Sequence, residues 1–137
     1  MAHEKFPVEV LTPEGEVFND EVEQISTKTT VGSIGVLAHH QPILAMLDPT
    51  ELRLYRTESE VVRFAQAEGY MQMAGKRALI LVEEAHPPGD LDAASLRERL
   101  QQAERELESA GDDTEKRRVA ERDKLRLETF LTIAESS

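Results

Sequence analysis

Cysteine is absent from this 137-residue sequence. That excludes a disulfide framework, a thiolate metal site and a thiol nucleophile, and it is consistent with a reducing compartment. Long hydrophobic runs are missing as well. Stretches such as Ala78 to Val82 fall far short of the roughly 20 apolar residues a membrane-spanning helix needs. The first residues lack the apolar segment of a signal peptide, so the chain is expected to be soluble and to stay where it is made. Positive charge is scarce: 16 Lys and Arg stand against 27 Asp and Glu, a formal net charge of −11. Such a balance repels phosphate backbones and anionic membrane surfaces, so neither nucleic acid nor direct membrane insertion is expected.

Catalytic and metal-binding patterns are missing too. There is no Gly-x-Ser-x-Gly nucleophile turn. The glycines at 32 and 35 are not followed by Gly-Lys-Ser or Gly-Lys-Thr, so they do not form a phosphate cradle. Carboxylates alternate with apolar residues as solvated strand faces do, and none is paired as acid and base. His39 and His40 are adjacent, a spacing that rarely aims both rings at one metal, and no further ligand stands at suitable spacing. The expectation is no catalytic residue, no metal and no cofactor.

What is present is a change of periodicity about two thirds of the way along. From Phe6 to Glu83 short alternating runs are separated by turn signals, the pattern of a small antiparallel β-sandwich. Phe6 to Leu11 opens it and Thr12-Pro13-Glu14-Gly15 turns it. Val22, Ile25 and Thr27 continue it, and Gly32 and Gly35 mark a sharp corner. Glu51 to Leu54 alternates with period two, Thr57 to Ser59 turns, and Val61 to Ala65 follows. Tyr70 to Met73 and Ala78 to Val82 flank a turn at Gly75-Lys76, the last run being apolar enough to be buried on both faces.

His86-Pro87-Pro88-Gly89 then ends the strand pattern. The fold class is α+β, with a sandwich over 1–86, a linker at 87–90 and an antiparallel helical hairpin over 91–137. Asp90 or Asp92 caps a first helix with Leu96, Leu100, Ala103 and Leu107 on one stripe. Gly111 breaks it, and Asp112 with Glu115 forms a capping box for a second. There Ala120, Leu127, Leu131 and Ala134 make the stripe, with Val119, Phe130 and Ile133 beside it. The seam is thin, worth only a few kcal/mol, so the hairpin is expected to open or move without unfolding the sandwich. The basic cluster from Lys116 to Arg126 reads first as a solvated helix face, and more sharply as a docking face for an acidic partner.

Between the corner and the next strand, polar residues at 39–42 are flanked by apolar runs. That describes a rigid loop presented for contact.

Several stretches together are more specific than any one motif. They are Val8-Glu9-Val10-Leu11-Thr12-Pro13, Val17-Phe18, Glu21-Val22, Gly32-Ser33-Ile34-Gly35-Val36-Leu37, His40-Gln41-Pro42-Ile43-Leu44-Ala45 and Gly69-Tyr70. With them the chain resembles, along nearly its whole length, the epsilon subunit of rotary F-type ATP synthases. The resemblance implies a non-catalytic central-stalk subunit whose sandwich binds gamma and the c-ring of a proton-translocating complex. It would lie peripherally on the cytoplasmic side of the inner (plasma) membrane. The ring-contacting residues would be Ser33, His39, His40, Gln41 and Pro42. An extended hairpin would reach the alpha and beta subunits of the catalytic head and inhibit hydrolysis, with Lys116, Arg117, Arg118 and Arg122 meeting beta.

The family's nucleotide motif in the hairpin is matched here only by Leu91 and Asp92. Ser95 stands where an arginine belongs, Leu96 where an alanine does, and Phe130 in place of another arginine, with Arg126 one turn earlier. A site without those donors holds a triphosphate poorly. A rival reading is a stand-alone β-sandwich binding module whose helical tail self-associates. An enzyme using the histidine loop lacks an acid, base or nucleophile nearby.

Overall fold

Alternate residues from Phe6 onward are apolar, and in the computed structural model, which describes residues 3–136, they bury one face of each strand. Ten strands form. In order they are β1 (Phe6–Thr12), β2 (Gly15–Val22), β3 (Gln24–Thr29), β4 (Gly32–Val36), β5 (Ile43–Leu47), β6 (Thr50–Tyr55), β7 (Val61–Gln66), β8 (Gly69–Ala74), β9 (Arg77–Val82) and β10 (Ala85–His86). Hydrogen bonding runs in one continuous path, β10-β7-β6-β3-β5-β8-β9-β1-β2, with β4 attached to β3. β3 makes the turn between layers: Gln24 to Ser26 pair with β6, and Thr29 pairs with Leu47 of β5. Folded over in this way, the path is a sandwich. Its core holds Phe6, Val8, Ile25, Leu52, Leu54, Met71 and Ile80, all essentially inaccessible.

The structure corrects several expectations. The pairing is antiparallel throughout except that β1 and β9 run parallel, Val8 to Leu11 facing Ala78 to Leu81. The corner falls at Thr30 and Val31, between β3 and β4, while Gly32 and Gly35 lie inside β4. β9 is buried on one face only: Ala78, Ile80 and Val82 point inward, and Leu81 is 45% exposed. Gly69 has a clear steric cause, because a Cβ there would stand 2.0 Å from the Leu81 carbonyl oxygen.

The chain divides into two compact units, the first ending at Pro87 and the second beginning at Pro88. The second opens with a single 3-10 turn, Pro88–Asp90, followed by α1 (Ala93–Ser109) and α2 (Thr114–Ser136). Asp92, not Asp90, caps α1, its carboxylate accepting from the amides of Ala94 and Ser95. Gly111, with φ of +56°, ends the first helix as a left-handed residue can.

The expected capping box at Asp112 is absent. Asp113 takes the position instead, its side chain accepting from Lys116 N–H at 3.1 Å. Glu115 therefore falls one place short of the third helical position that the box requires. Arg97 near the start of α1 pairs with Glu135 near the end of α2 at 3.3 Å, which fixes the helices as antiparallel. The stripe on α2 is centred on Ala120, Leu127, Phe130 and Ile133, with Leu131 and Ala134 only half-buried.

Candidate functional site

The loop between β4 and β5 is seated by Ala38, which is buried beneath it. Beyond that seat, the His40 amide donates to the Leu37 carbonyl at 3.0 Å. The His40 Nδ1 lies 2.7 Å from the Gln41 carbonyl, which fixes that nitrogen as the donor. His39, Gln41 and Pro42 are exposed and His40 half-exposed. Ser33 stands outside this loop. It is exposed in β4 opposite Lys28, beside the β3–β4 turn. The three residue steps from Ser33 to Val36 span roughly 10 Å, but β5 returns alongside, and Ser33 lines one cleft with Ile43 and Leu44, which follow Pro42 in sequence. Among the described residues no three His, Asp or Glu side chains gather as a metal site.

The basic residues of α2 are largely engaged with acids on the same helix. Arg118 reaches Glu115 through two bonds, at 2.6 and 3.1 Å. Arg117 pairs with Glu121 at 3.7 Å, and Arg122 with Asp123 at 3.3 Å. The hydrogen bond from Arg118, aided by its charge, holds the Glu115 carboxyl below the usual carboxylate range and raises the Arg118 guanidinium. Lys116, at the exposed start of the helix, supplies its backbone amide to the cap.

The three nucleotide candidates are not gathered. Asp92 is used in capping α1 and Leu91 precedes it half-buried. Arg126 lines a groove of about 270 Å³ with Arg99, Gln102 and Asp123, two turns further along α1.

Periodicity alone missed an apolar row on the outer face of the sheet. Leu11, Leu81, Tyr70 and Met46 stand opposite one another in register across β1, β9, β8 and β5. They lie on the face away from the core. Leu81, Tyr70 and Met46 are 45%, 51% and 56% exposed, and Leu44 on the same face of β5 is 74% exposed. A shallow cleft of about 360 Å³ lies at the Leu11 end of the row, walled by Leu11, Pro13, Tyr70 and Leu81 with Glu68 and Glu83 at its edge. The signal was in the sequence: β5 and β9 are apolar at every position but one, which a strand with one wet face does not need. The second apolar face is unpaid for by the core and left open to a partner.

A family model described as "ATP synthase, Delta/Epsilon chain, beta-sandwich domain" matches residues 5–88. The chain belongs to the ATP synthase epsilon-chain family. Among its relatives, the ATP synthase epsilon chain of Persephonella marina is 37% identical over 103 residues, 75% of this chain and 76% of that one. The ATP synthase epsilon chain of a Sulfurihydrogenibium species is 28% identical over 129 residues, 94% of this chain and 96% of that one, so the likeness to epsilon chains extends through the hairpin.

The same fold occurs in the OSCP/F1/c-ring structure of the Euglena gracilis mitochondrial ATP synthase. That chain is 21% identical with a TM-score of 0.76, over 97% of this chain and 82% of the other. It occurs again in the central stalk and c-ring of the Tetrahymena thermophila mitochondrial enzyme, 20% identical with a TM-score of 0.64, over 98% and 99%. Among the described residues, no helix of this epsilon-family chain is long and apolar enough to cross a membrane.

Proposed function

We propose that the chain is the central-stalk subunit of a proton-translocating F-type ATP synthase, joining gamma to the c-ring for rotary coupling and performing no catalysis itself. The observation that carries the reading is the apolar row Met46, Tyr70, Leu81 and Leu11, displayed on the outer face of a rigid sheet. A row of this kind suits a permanent neighbour such as gamma, because a large exposed apolar face is disfavoured in a protein that works alone. The relatives bear the name of epsilon chains, and the structural neighbours come from F1/c-ring and central-stalk assemblies. Such a subunit is peripheral, on the cytoplasmic side of the inner (plasma) membrane.

The polar tip at His39, His40, Gln41 and Pro42, together with Ser33, forms the contact for the ring. The hairpin is an inhibitory arm that extends toward the alpha and beta subunits. On extension, Arg117, Arg118 and Arg122 exchange their partners Glu121, Glu115 and Asp123 for acids on beta, and Lys116 adds its charge. Because the exchange swaps one set of ion pairs for another, a small difference in contact free energy decides the state. Leu91, Asp92 and Arg126 do not form a nucleotide site.

Tyr70→Asp in the complex tests the first part. Loss of a central aromatic anchor is expected to weaken association with gamma by roughly 30-fold or more. An unchanged affinity in a folded variant would remove this face from the interface. For the arm, ATP hydrolysis by the catalytic head is compared with the full chain and with a version ending at Pro87. Suppression by the full chain alone is expected, and equal rates would leave the hairpin without an inhibitory role.

A further inference from the structure

We propose that Glu4 is a positioning residue for the tip at His39 to Pro42, its carboxylate tying that loop to the turn between β8 and β9. The inference rests on the reading of the tip as a ring contact. One Glu4 oxygen lies 2.5 Å from His39 Nε2 and the other 3.6 Å from Lys76 Nζ. Three segments remote in sequence thus converge on one carboxyl group.

The mounting of that group is firm. Two residues further on, Phe6 is fully buried and paired with Val22, which anchors the chain just past Glu4. The tip's internal bonds, from His40 to Leu37 and Gln41, set the shape of the loop. Between the tip and the neighbouring turn, the bond from His39 to Glu4 adds a side-chain tie to the backbone pairing of Ile43 with Met73.

Charge points the same way. In segments 3–5, 39–42 and 75–77 Glu4 is the single acid among His3, Lys5, His39, His40, Lys76 and Arg77, within a chain whose net charge is −11. Removing it leaves the Lys76 ammonium without this carboxylate. Lys76 itself is held at φ of +59° beside Gly75 at +59°. Glycine or asparagine ordinarily takes such a left-handed turn position. The lysine there directs an ammonium group at Glu4.

The test uses the full chain and a stalk assembly of gamma and c-ring lacking it. Amide hydrogen exchange at residues 38–41 is compared among the wild type, Glu4→Gln, His39→Gln and the double variant. Each single change is expected to speed exchange about two- to five-fold, the range for an exposed ion pair. The double variant is expected to do no more than the larger single change, because both remove the same link. Unaltered exchange in the single variants, or fully additive effects, would overturn the inference.

Affinity for the assembly is then measured for the same variants and for a chain whose residues 39–42 are replaced by Gly and Ser. If the replaced tip binds as the wild type does, the contact reading fails and the positioning role with it. If replacement weakens binding while Glu4→Gln does not, the contact reading stands and Glu4 is only a surface partner. Parallel weakening in Glu4→Gln and His39→Gln is the expected result.

Discussion

At Gly69 one methyl group would meet the Leu81 carbonyl oxygen at 2.0 Å and the Val82 Cα at 2.7 Å. Both obstacles are backbone, so β8 and β9 must separate to admit it. Gly69→Ala is therefore expected to lower stability by about 2–3 kcal/mol, read as a fall in urea midpoint at unchanged slope. Gln66 is the other exacting position. Fully buried, it accepts from the Thr27 hydroxyl at 2.6 Å and donates to the carbonyls of Asp48 and Ala67 at 3.0 and 3.2 Å. Thr27→Val keeps the shape and removes the donor, and is expected to cost about 1–3 kcal/mol in the same titration. Neither role was legible in advance. Gly69-Tyr70 is a recognisable family stretch, but its reason is a backbone facing it across a strand pair, and Gln66 lies next to a buried strand face that hydrophobicity alone does not mark. The alternating Leu52 and Leu54 were legible, because their burial follows from period two itself.

Element boundaries followed local chemistry where one signal dominated and failed where two competed. The start of α2 offered Asp112 and Asp113 in succession, and spacing to Glu115 favoured the first. The structure uses the second, since its carboxylate reaches the amide of Lys116, while Glu115 is drawn to Arg118. Asp113→Ala is expected to cost about 1 kcal/mol of hairpin stability and Asp112→Ala almost nothing, a contrast readable by thermal melting of the helical signal. The Glu115 and Arg118 pair also sets an acid limit. A carboxyl held below its ordinary range stabilises the fold above that range, and the contribution is lost as pH falls through the lowered value. Glu115→Gln should therefore flatten the acid side of the helix stability profile without moving the alkaline side. Following helicity from pH 6 to pH 2 in both forms checks the sign. β9 shows how a correct observation led to an incorrect burial. Its apolar residues on both faces were visible, but sequence does not say whether the second face meets the protein's own core or another subunit.

Across the whole molecule, the core residues of the sandwich all lie between Phe6 and Ala85, and the contacts of the chain part at Pro87. A chain ending at Pro87 is expected to unfold in one cooperative transition at nearly the full-length midpoint. A broad or strongly lowered transition would show that the hairpin is needed for the sandwich to hold. The order of strands followed by helices was plain in the shift from period two to spacings of three and four. The placement of Ser33 beside Ile43 and Leu44 was not, because it depends on how β5 returns past β4.

The parallel pairing of β1 with β9 also orders events in time. Of the strands described, Phe6–Thr12 is made before the others, yet one of its two edges has no partner until Arg77–Val82 has been made. Closing a loop of that length is slow compared with forming a local helical hairpin. Until then the nascent sandwich exposes an unsatisfied strand edge and half-covered apolar side chains. Until Val82 has left the ribosome, that open edge is expected to invite pairing with other chains.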